Sequence, residues 1–115
     1  MASSTIPSPY SILNATLYNP TSATDVHTDT TITLNQNWSN FKTLVFYFLA
    51  TSSTNSTRSM LTISSQTVSQ AGWHALAQGT TNGGVRIAAG TNDNQIRIWD
   101  TSLSGLYLYR IWGTN

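Results

Sequence analysis

The chain has 115 residues and a formal net charge of +1, and only 8% of its residues are charged. Its five cations are scattered singly, which argues against a nucleic-acid-binding surface of clustered Lys and Arg. Cysteine is absent, which excludes disulfides and thiolate metal sites. Ser, Thr, Asn and Gln replace the missing charge, and Thr with aromatic residues favours strands while Asn, Ser and Gly favour turns. The composition therefore predicts one all-β domain.

The first half of the chain predicts a short lead and three strands. Residues 1–9, with two prolines, are expected to form a flexible lead or a junction, so that the domain covers 10–115. Strands are predicted at Ser11–Tyr18, Thr30–Leu34 and Thr43–Ala50. The last of these is apolar on both faces, although a lone sandwich covers only one face of each sheet. A neighbouring subunit is the simplest second cover.

The second half continues the pattern of short strands separated by turns. Ser59–Ser64 is a predicted strand, whereas Ala71–Ala77 fits either a strand or an irregular crossing. Val85–Ala89 and Gln95–Trp99 flank a predicted hairpin loop at Gly90–Asn94. The segment Gly90–Asp100 also resembles the final strands of a WD-repeat propeller blade, but one match in a chain this short is typical of an ordinary hairpin. The final predicted strand is Leu106–Trp112.

Seven or eight strands about ten residues apart predict an antiparallel β-sandwich, jelly-roll-like and almost without helix. Alternation along the strands gives the predicted core. It consists of Ile32, Leu34, Leu44, Phe46, Phe48, Leu61, Ile63, Val85, Ile87, Ile96, Ile98, Leu108 and Ile111.

Two segments resemble the C-terminal tip domains of bacteriophage tail fibres. Trp38–Phe48 (WSNFKTLVFYF) is similar to the turn that enters a strong aromatic strand in those domains. Leu106–Gly113 (LYLYRIWG) is similar to their final aliphatic-basic-Ile-Tyr-Gly motif. Trp112 stands where the family usually has Tyr, and Thr114-Asn115 replaces the usual aliphatic-basic end.

The resemblance implies a homotrimer at the tip of a virion fibre, assembled in the host cytoplasm and acting outside the cell. Its partner would be a bacterial surface polysaccharide or lipopolysaccharide, with no nucleic acid, no membrane insertion and no cofactor. The alternative is a trimerisation or folding module without a receptor site of its own. Light scattering would separate a trimer from a dimer, which is the commoner symmetric assembly.

The sequence contains few residues suited to catalysis or metal binding. Glycosidases need an acid and a carboxylate across one cleft, and the chain has four Asp and no Glu, so no enzymatic activity is expected. Asp25, His27 and Asp29 alternate and would share one face of an extended segment. Solvated polar side chains are the favoured interpretation, although a trimer axis could gather three copies of His27.

Sugar binding is assigned to residues at loops and strand ends. Aromatic faces suit the apolar face of a pyranose, and Asn, Asp and Arg suit its hydroxyls. The candidate residues are Trp73, Asp93, Asn94, Arg97 and Trp99. For both tryptophans, packing in the core is the favoured alternative.

Overall fold

The computed structural model of the chain describes residues 15–51, 56–76, 84–100 and 103–115. The lead predicted at 1–9 and the first part of the strand predicted at 11–18 lie outside the described residues. Within them, the chain forms nine strands and two short 3-10 helices, Trp38–Asn40 and Ser65–Gln70. The strands are β1 (Ala15–Tyr18), β2 (Thr24–Asp25), β3 (Thr30–Thr33), β4 (Thr43–Thr51), β5 (Ser56–Ser64), β6 (Trp73–Ala75), β7 (Gly84–Ala89), β8 (Gln95–Asp100) and β9 (Gly105–Thr114).

The strands form two antiparallel sheets that pack face to face. The five-stranded sheet has the order β1-β9-β4-β5, with β2 also paired to β9, and the four-stranded sheet has the order β3-β8-β7-β6. The chain passes from one sheet to the other between β2 and β3, β3 and β4, β5 and β6, and β8 and β9. The predicted all-β antiparallel sandwich is confirmed. Among the described residues, no helix has the length and apolar character needed to cross a bilayer.

The core lies between the sheets and is built from alternate residues of the strands. All the predicted core residues are buried except Leu61, which is partly buried and packs against the core from the edge strand β5. An edge strand has cover on one side only, so burial of Leu61 is incomplete. Strand alternation missed further core residues, most of them in loops or at strand ends. They are Leu17, Val26, Phe41, Ala50, Val68, Leu76, Leu103 and Leu106.

The two apolar faces of β4 are covered unequally. Every second residue from Leu44 to Ala50 faces the other sheet and is buried. On the opposite face, Val45, Tyr47 and Leu49 are half-buried by neighbouring side chains of the same sheet. The outer face of the five-stranded sheet therefore combines apolar side chains with partial exposure.

A β-bulge in β9 changes which of its residues face the core. Leu108 and Arg110 lie opposite neighbouring residues of β4, so Tyr109 is an extra residue in the ladder. The bulge shifts the alternation by one position. As a result Ile111 faces the core and Arg110 is exposed.

The segment predicted as either a strand or a crossing contains an edge strand. The 3-10 helix Ser65–Gln70 ends at Ala71, whose φ of 53° is left-handed. The chain then enters β6, which pairs with β7 at one edge of the four-stranded sheet. This connection brings Trp73 beside the predicted β7–β8 hairpin.

Candidate functional site

The five predicted sugar-binding residues fall into two groups. Trp73, Arg97 and Trp99 lie on the outer face of the four-stranded sheet, the face turned away from the core. Asp93 and Asn94 lie in the turn between β7 and β8. Asn94 precedes Trp99 by five residues, which corresponds to about 16 Å along an extended strand. The fold therefore brings three candidates onto one face and leaves two at the end of the sheet.

A row of three long side chains crosses this outer face. Trp73 of β6 lies opposite Arg86 of β7, and Arg86 lies opposite Trp99 of β8. Neighbouring strands lie about 4.8 Å apart, so the backbones of the two tryptophans are about 10 Å apart. Along this row the strand position of Arg86 lies between those of the two tryptophans, and its guanidinium is turned towards the carbonyl of Ala71, just before β6.

Trp73 is an exposed residue that packs on a glycine. Trp73 is 46% exposed. A Cβ built on Gly84 would lie 2.2 Å from the indole of Trp73. The missing side chain of Gly84 thus lets the ring approach the backbone of β7. Core packing, the favoured interpretation for both tryptophans, is wrong, because the fold puts Trp73 on an edge strand and leaves Trp99 half-buried on the outer face.

Arg86 is a residue of this face that the sequence analysis missed. Its Nη1 donates a hydrogen bond to the backbone carbonyl of Ala71 at 2.9 Å, and the residue is exposed. The alternation of Val85–Ala89 was sufficient to place Arg86 on the outer face. Its position between two tryptophans follows from the strand register, which no local pattern in the sequence reveals.

Arg97 and Asp29 form a bidentate ion pair on the same face. Arg97 Nε donates to Asp29 Oδ1 at 3.1 Å, and Nη2 donates to Oδ2 at 2.5 Å. The hydrogen bond from Arg97 holds the pKa of Asp29 below its usual value. The guanidinium also lies 5.2 Å from the centre of the Trp99 ring, a cation–π contact. Asp29 and Trp99 together fix the side chain of Arg97.

Asp93 and Asn94 hold a loop in place with their backbone. The carbonyl of Asp93 accepts the amide hydrogen of Trp38 at 3.1 Å, and the carbonyl of Asn94 accepts that of Leu34 at 2.7 Å. Asn94 Nδ2 also donates to the carbonyl of Leu34 at 3.4 Å. Their assignment to a sugar site stays a prediction, at the far end of β8 from the row.

The alternating set of possible metal ligands divides among separate partners. Asp25 Oδ1 accepts the amide hydrogen of His27 at 2.9 Å, and the His27 ring contacts the carboxylate of Asp100. Asp29 is paired with Arg97. No group of three such ligands that could hold a metal ion occurs in the described part of the chain.

The outer face of the five-stranded sheet is a second surface with a different character. Val45, Met60 and Trp112 line a shallow pocket of about 270 Å³, and Met60 is 57% exposed. Beside it, the rings of Tyr47 and Tyr109 lie 4.9 Å apart. The same face also carries Arg58, which donates from Nη1 to the Tyr47 hydroxyl at 2.9 Å, and Arg110, whose guanidinium lies 5.8 Å from the centre of the Trp112 ring.

A cleft of about 690 Å³ opens at one end of the sandwich. Eight of its ten lining residues have polar or charged side chains, namely Ser39, Asn40, Lys42, Ser64, Ser65, Gln66, Ser69 and Asn115, and the other two are Trp38 and Phe41. Trp38 packs against the core and Phe41 is buried in it. The cleft therefore offers hydroxyl and amide groups, whereas the row on the four-stranded sheet offers the indole rings of Trp73 and Trp99.

Comparison of the chain with protein-family models, with curated proteins and with solved structures finds no match.

Proposed function

We propose that this chain is a non-catalytic carbohydrate-binding domain, with its site on the outer face of the four-stranded sheet. The observation that carries the proposal is the row formed by Trp73, Arg86 and Trp99. Indole faces bind the apolar face of a sugar ring, and guanidinium groups donate to its hydroxyls. A row whose tryptophan backbones are about 10 Å apart suits sugar rings that are two residues apart along an extended glycan chain.

The biological role that we propose is attachment of a bacteriophage tail fibre to host polysaccharide or lipopolysaccharide. The two segments that resemble tail-fibre tips, Trp38–Phe48 and Leu106–Gly113, supply strands that pair in the middle of the five-stranded sheet. The two segments are far apart in the sequence but form one structural unit, and this supports a common origin for the two resemblances.

The surroundings of the aspartates support a role without catalysis. Asp29 is engaged by Arg97 and Asp100 by His27, whereas Asp25 and Asp93 are exposed on separate segments. A glycosidase needs two carboxyl groups across one cleft, one of them able to carry a proton. The observed arrangement provides no such pair among the four.

The proposal is tested by titrating the folded domain with soluble bacterial oligosaccharides, after a polysaccharide and lipopolysaccharide array has identified a ligand. Monovalent oligosaccharides exclude avidity from the result. We expect Trp73→Ala and Trp99→Ala each to weaken binding about tenfold or more, as for aromatic residues at the centre of an interface. Trp99→Phe should retain part of the affinity.

Trp112→Ala is the matched control, because it removes the same side chain from the opposite sheet. It should leave the affinity for a monovalent sugar unchanged. Equal losses from Trp112→Ala and Trp99→Ala would contradict the location of the site. Failure of the folded wild-type domain to bind any glycan would contradict carbohydrate binding altogether.

The second candidate function is a trimerisation module, favoured by an apolar patch on the outer face of the five-stranded sheet. Met60 is exposed there beside Val45 and Trp112, and contiguous exposed apolar side chains mark surfaces where proteins associate. Association and glycan binding would use opposite faces of the sandwich. The two functions are therefore compatible, and each has its own test.

A further inference from the structure

The charges on the outer face of the four-stranded sheet are only partly paired. Arg86 and Arg97 supply two guanidinium groups, and Asp29 supplies one carboxylate, which is bound to Arg97. The described residues include all four aspartates of the chain, and no ion pair among them involves Arg86. One cation on this face therefore lacks a counter-charge, and it is Arg86, whose strand position lies between those of the two tryptophans.

The two arginines differ in which edge of the guanidinium is occupied. In Arg97, the edge formed by Nε and Nη2 is filled by both oxygens of Asp29. Among the described residues, Arg86 donates only from Nη1, to the carbonyl of Ala71. A guanidinium has five N–H donors, and no described residue accepts from the Nε–Nη2 edge of Arg86. The same edge of its neighbour shows what fits there, namely a planar anion with two oxygens.

We infer that the glycan recognised by this face is anionic and that Arg86 binds its charged group. The inference rests on the proposed carbohydrate-binding function and adds the chemical class of the ligand. The charged group is the carboxylate of a uronic acid or a phosphate on a sugar, both of which accept a bidentate pair of hydrogen bonds from Arg. Trp73 and Trp99 would contact the sugar rings on either side of that group.

Preorganisation favours Arg86 for this role. The hydrogen bond to Ala71 holds the guanidinium before a ligand arrives, which lowers the entropy lost on binding. Charge-assisted hydrogen bonds are about twice as strong as neutral ones, so an acidic sugar gains more from Arg86 than a neutral sugar does.

The test compares two pairs of probes by calorimetry. The first pair is an oligogalacturonate and its carboxyl-reduced neutral counterpart, and the second is a phosphorylated lipopolysaccharide core oligosaccharide before and after dephosphorylation. The wild type should bind one of the two acidic probes about tenfold or more tightly than its neutral form. A difference within the galacturonate pair identifies a carboxylate as the charged group, and a difference within the lipopolysaccharide pair identifies a phosphate. Arg86→Gln should abolish the difference while leaving the weaker neutral binding in place, and Arg86→Lys should retain only part of it.

Asp29→Asn provides a second variant in which the predicted change is a gain. It frees the Nε–Nη2 edge of Arg97, so affinity for the acidic probe should rise severalfold. Equal binding of acidic and neutral probes by the wild type, with Arg86→Gln weakening both alike, would overturn the inference while leaving carbohydrate binding intact. Absence of binding to every probe by a correctly folded domain would overturn both.

Discussion

Two glycines allow aromatic rings to lie directly on the backbone, in opposite settings. A Cβ on Gly84 would lie 2.2 Å from the indole of Trp73, and a Cβ on Gly113 would lie 2.5 Å from the ring of Phe41. Trp73 is exposed and can turn aside, whereas Phe41 is buried in the core. The same substitution should therefore have different consequences at the two positions.

We predict that Gly113→Ala destabilises the domain by about 1–3 kcal/mol, the usual cost of overpacking a core. Gly84→Ala should change stability by less than about 1 kcal/mol, because the lower entropy of the unfolded chain offsets the displaced ring. Urea unfolding measures both effects. Gly84→Ala should nevertheless weaken glycan binding, because the added methyl group displaces the indole of Trp73 from its position against β7. A larger loss of stability at Gly84 than at Gly113 would contradict this account.

His74 makes folding sensitive to mild acid. Its Nε2 is buried and has no hydrogen-bond partner among the described residues, and burial lowers the pKa of the imidazole from its ordinary value of 6.5. The unfolded chain therefore binds a proton more readily than the folded one. Stability should fall as the pH drops below the unfolded pKa, because the unfolded state then takes up the extra proton.

Urea midpoints at about pH 7.5 and about pH 5 measure this dependence. His74→Gln should reduce the difference between the two midpoints relative to the wild type. His27→Gln is the matched control for the other histidine and should leave the contribution of His74 in place. An unchanged pH dependence in His74→Gln would show that burial of this ring does not couple to folding.

At the scale of elements, alternation and short apolar runs in the sequence were sufficient to predict most of the described strands and most of the core, but not the two-residue strand β2. Thr43–Ala50 and Val85–Ala89 are strands close to their predicted limits, because each combines β-branched or aromatic residues with flanking turn residues. The hairpin loop at Gly90–Asn94 is confirmed for the same reason. These features depend on the residue types within one short segment, which can be read directly from the sequence.

Features that depend on register could not be predicted in this way. The bulge at Tyr109 shifts the alternation of β9 by one residue, and its cause is tertiary, since it keeps Ile111 in the core and Arg110 outside. The position of Arg86 between Trp73 and Trp99 likewise depends on two strand pairings at once. The sequence supplied the aromatic candidates of the site, and the fold supplied the cation that lies between them.

At the scale of the whole molecule, the sandwich has two outer faces with different chemistry. The four-stranded sheet carries Trp73, Arg86 and Trp99 in an open row. The five-stranded sheet carries Val45, Met60 and Trp112 around a shallow apolar pocket. A sandwich buries only its inner faces, so both surfaces are available for separate tasks. An assembly through the apolar face would leave the tryptophan row of every copy exposed for multivalent attachment.

The last prediction concerns this assembly. We expect the domain to form a homotrimer through the outer face of the five-stranded sheet, with a mass by light scattering of three times 12.5 kDa. Met60→Lys should dissociate it into folded monomers, because burying an unpaired ammonium in an apolar contact is costly.

Gln36→Lys adds the same charge at another exposed position and should leave the trimer intact. The monomeric variant should bind a monovalent sugar as the wild type does and should lose the avidity for a polysaccharide surface. A wild-type domain that stays monomeric at micromolar concentration, or a Met60→Lys variant that stays trimeric, would exclude this face as the contact between copies.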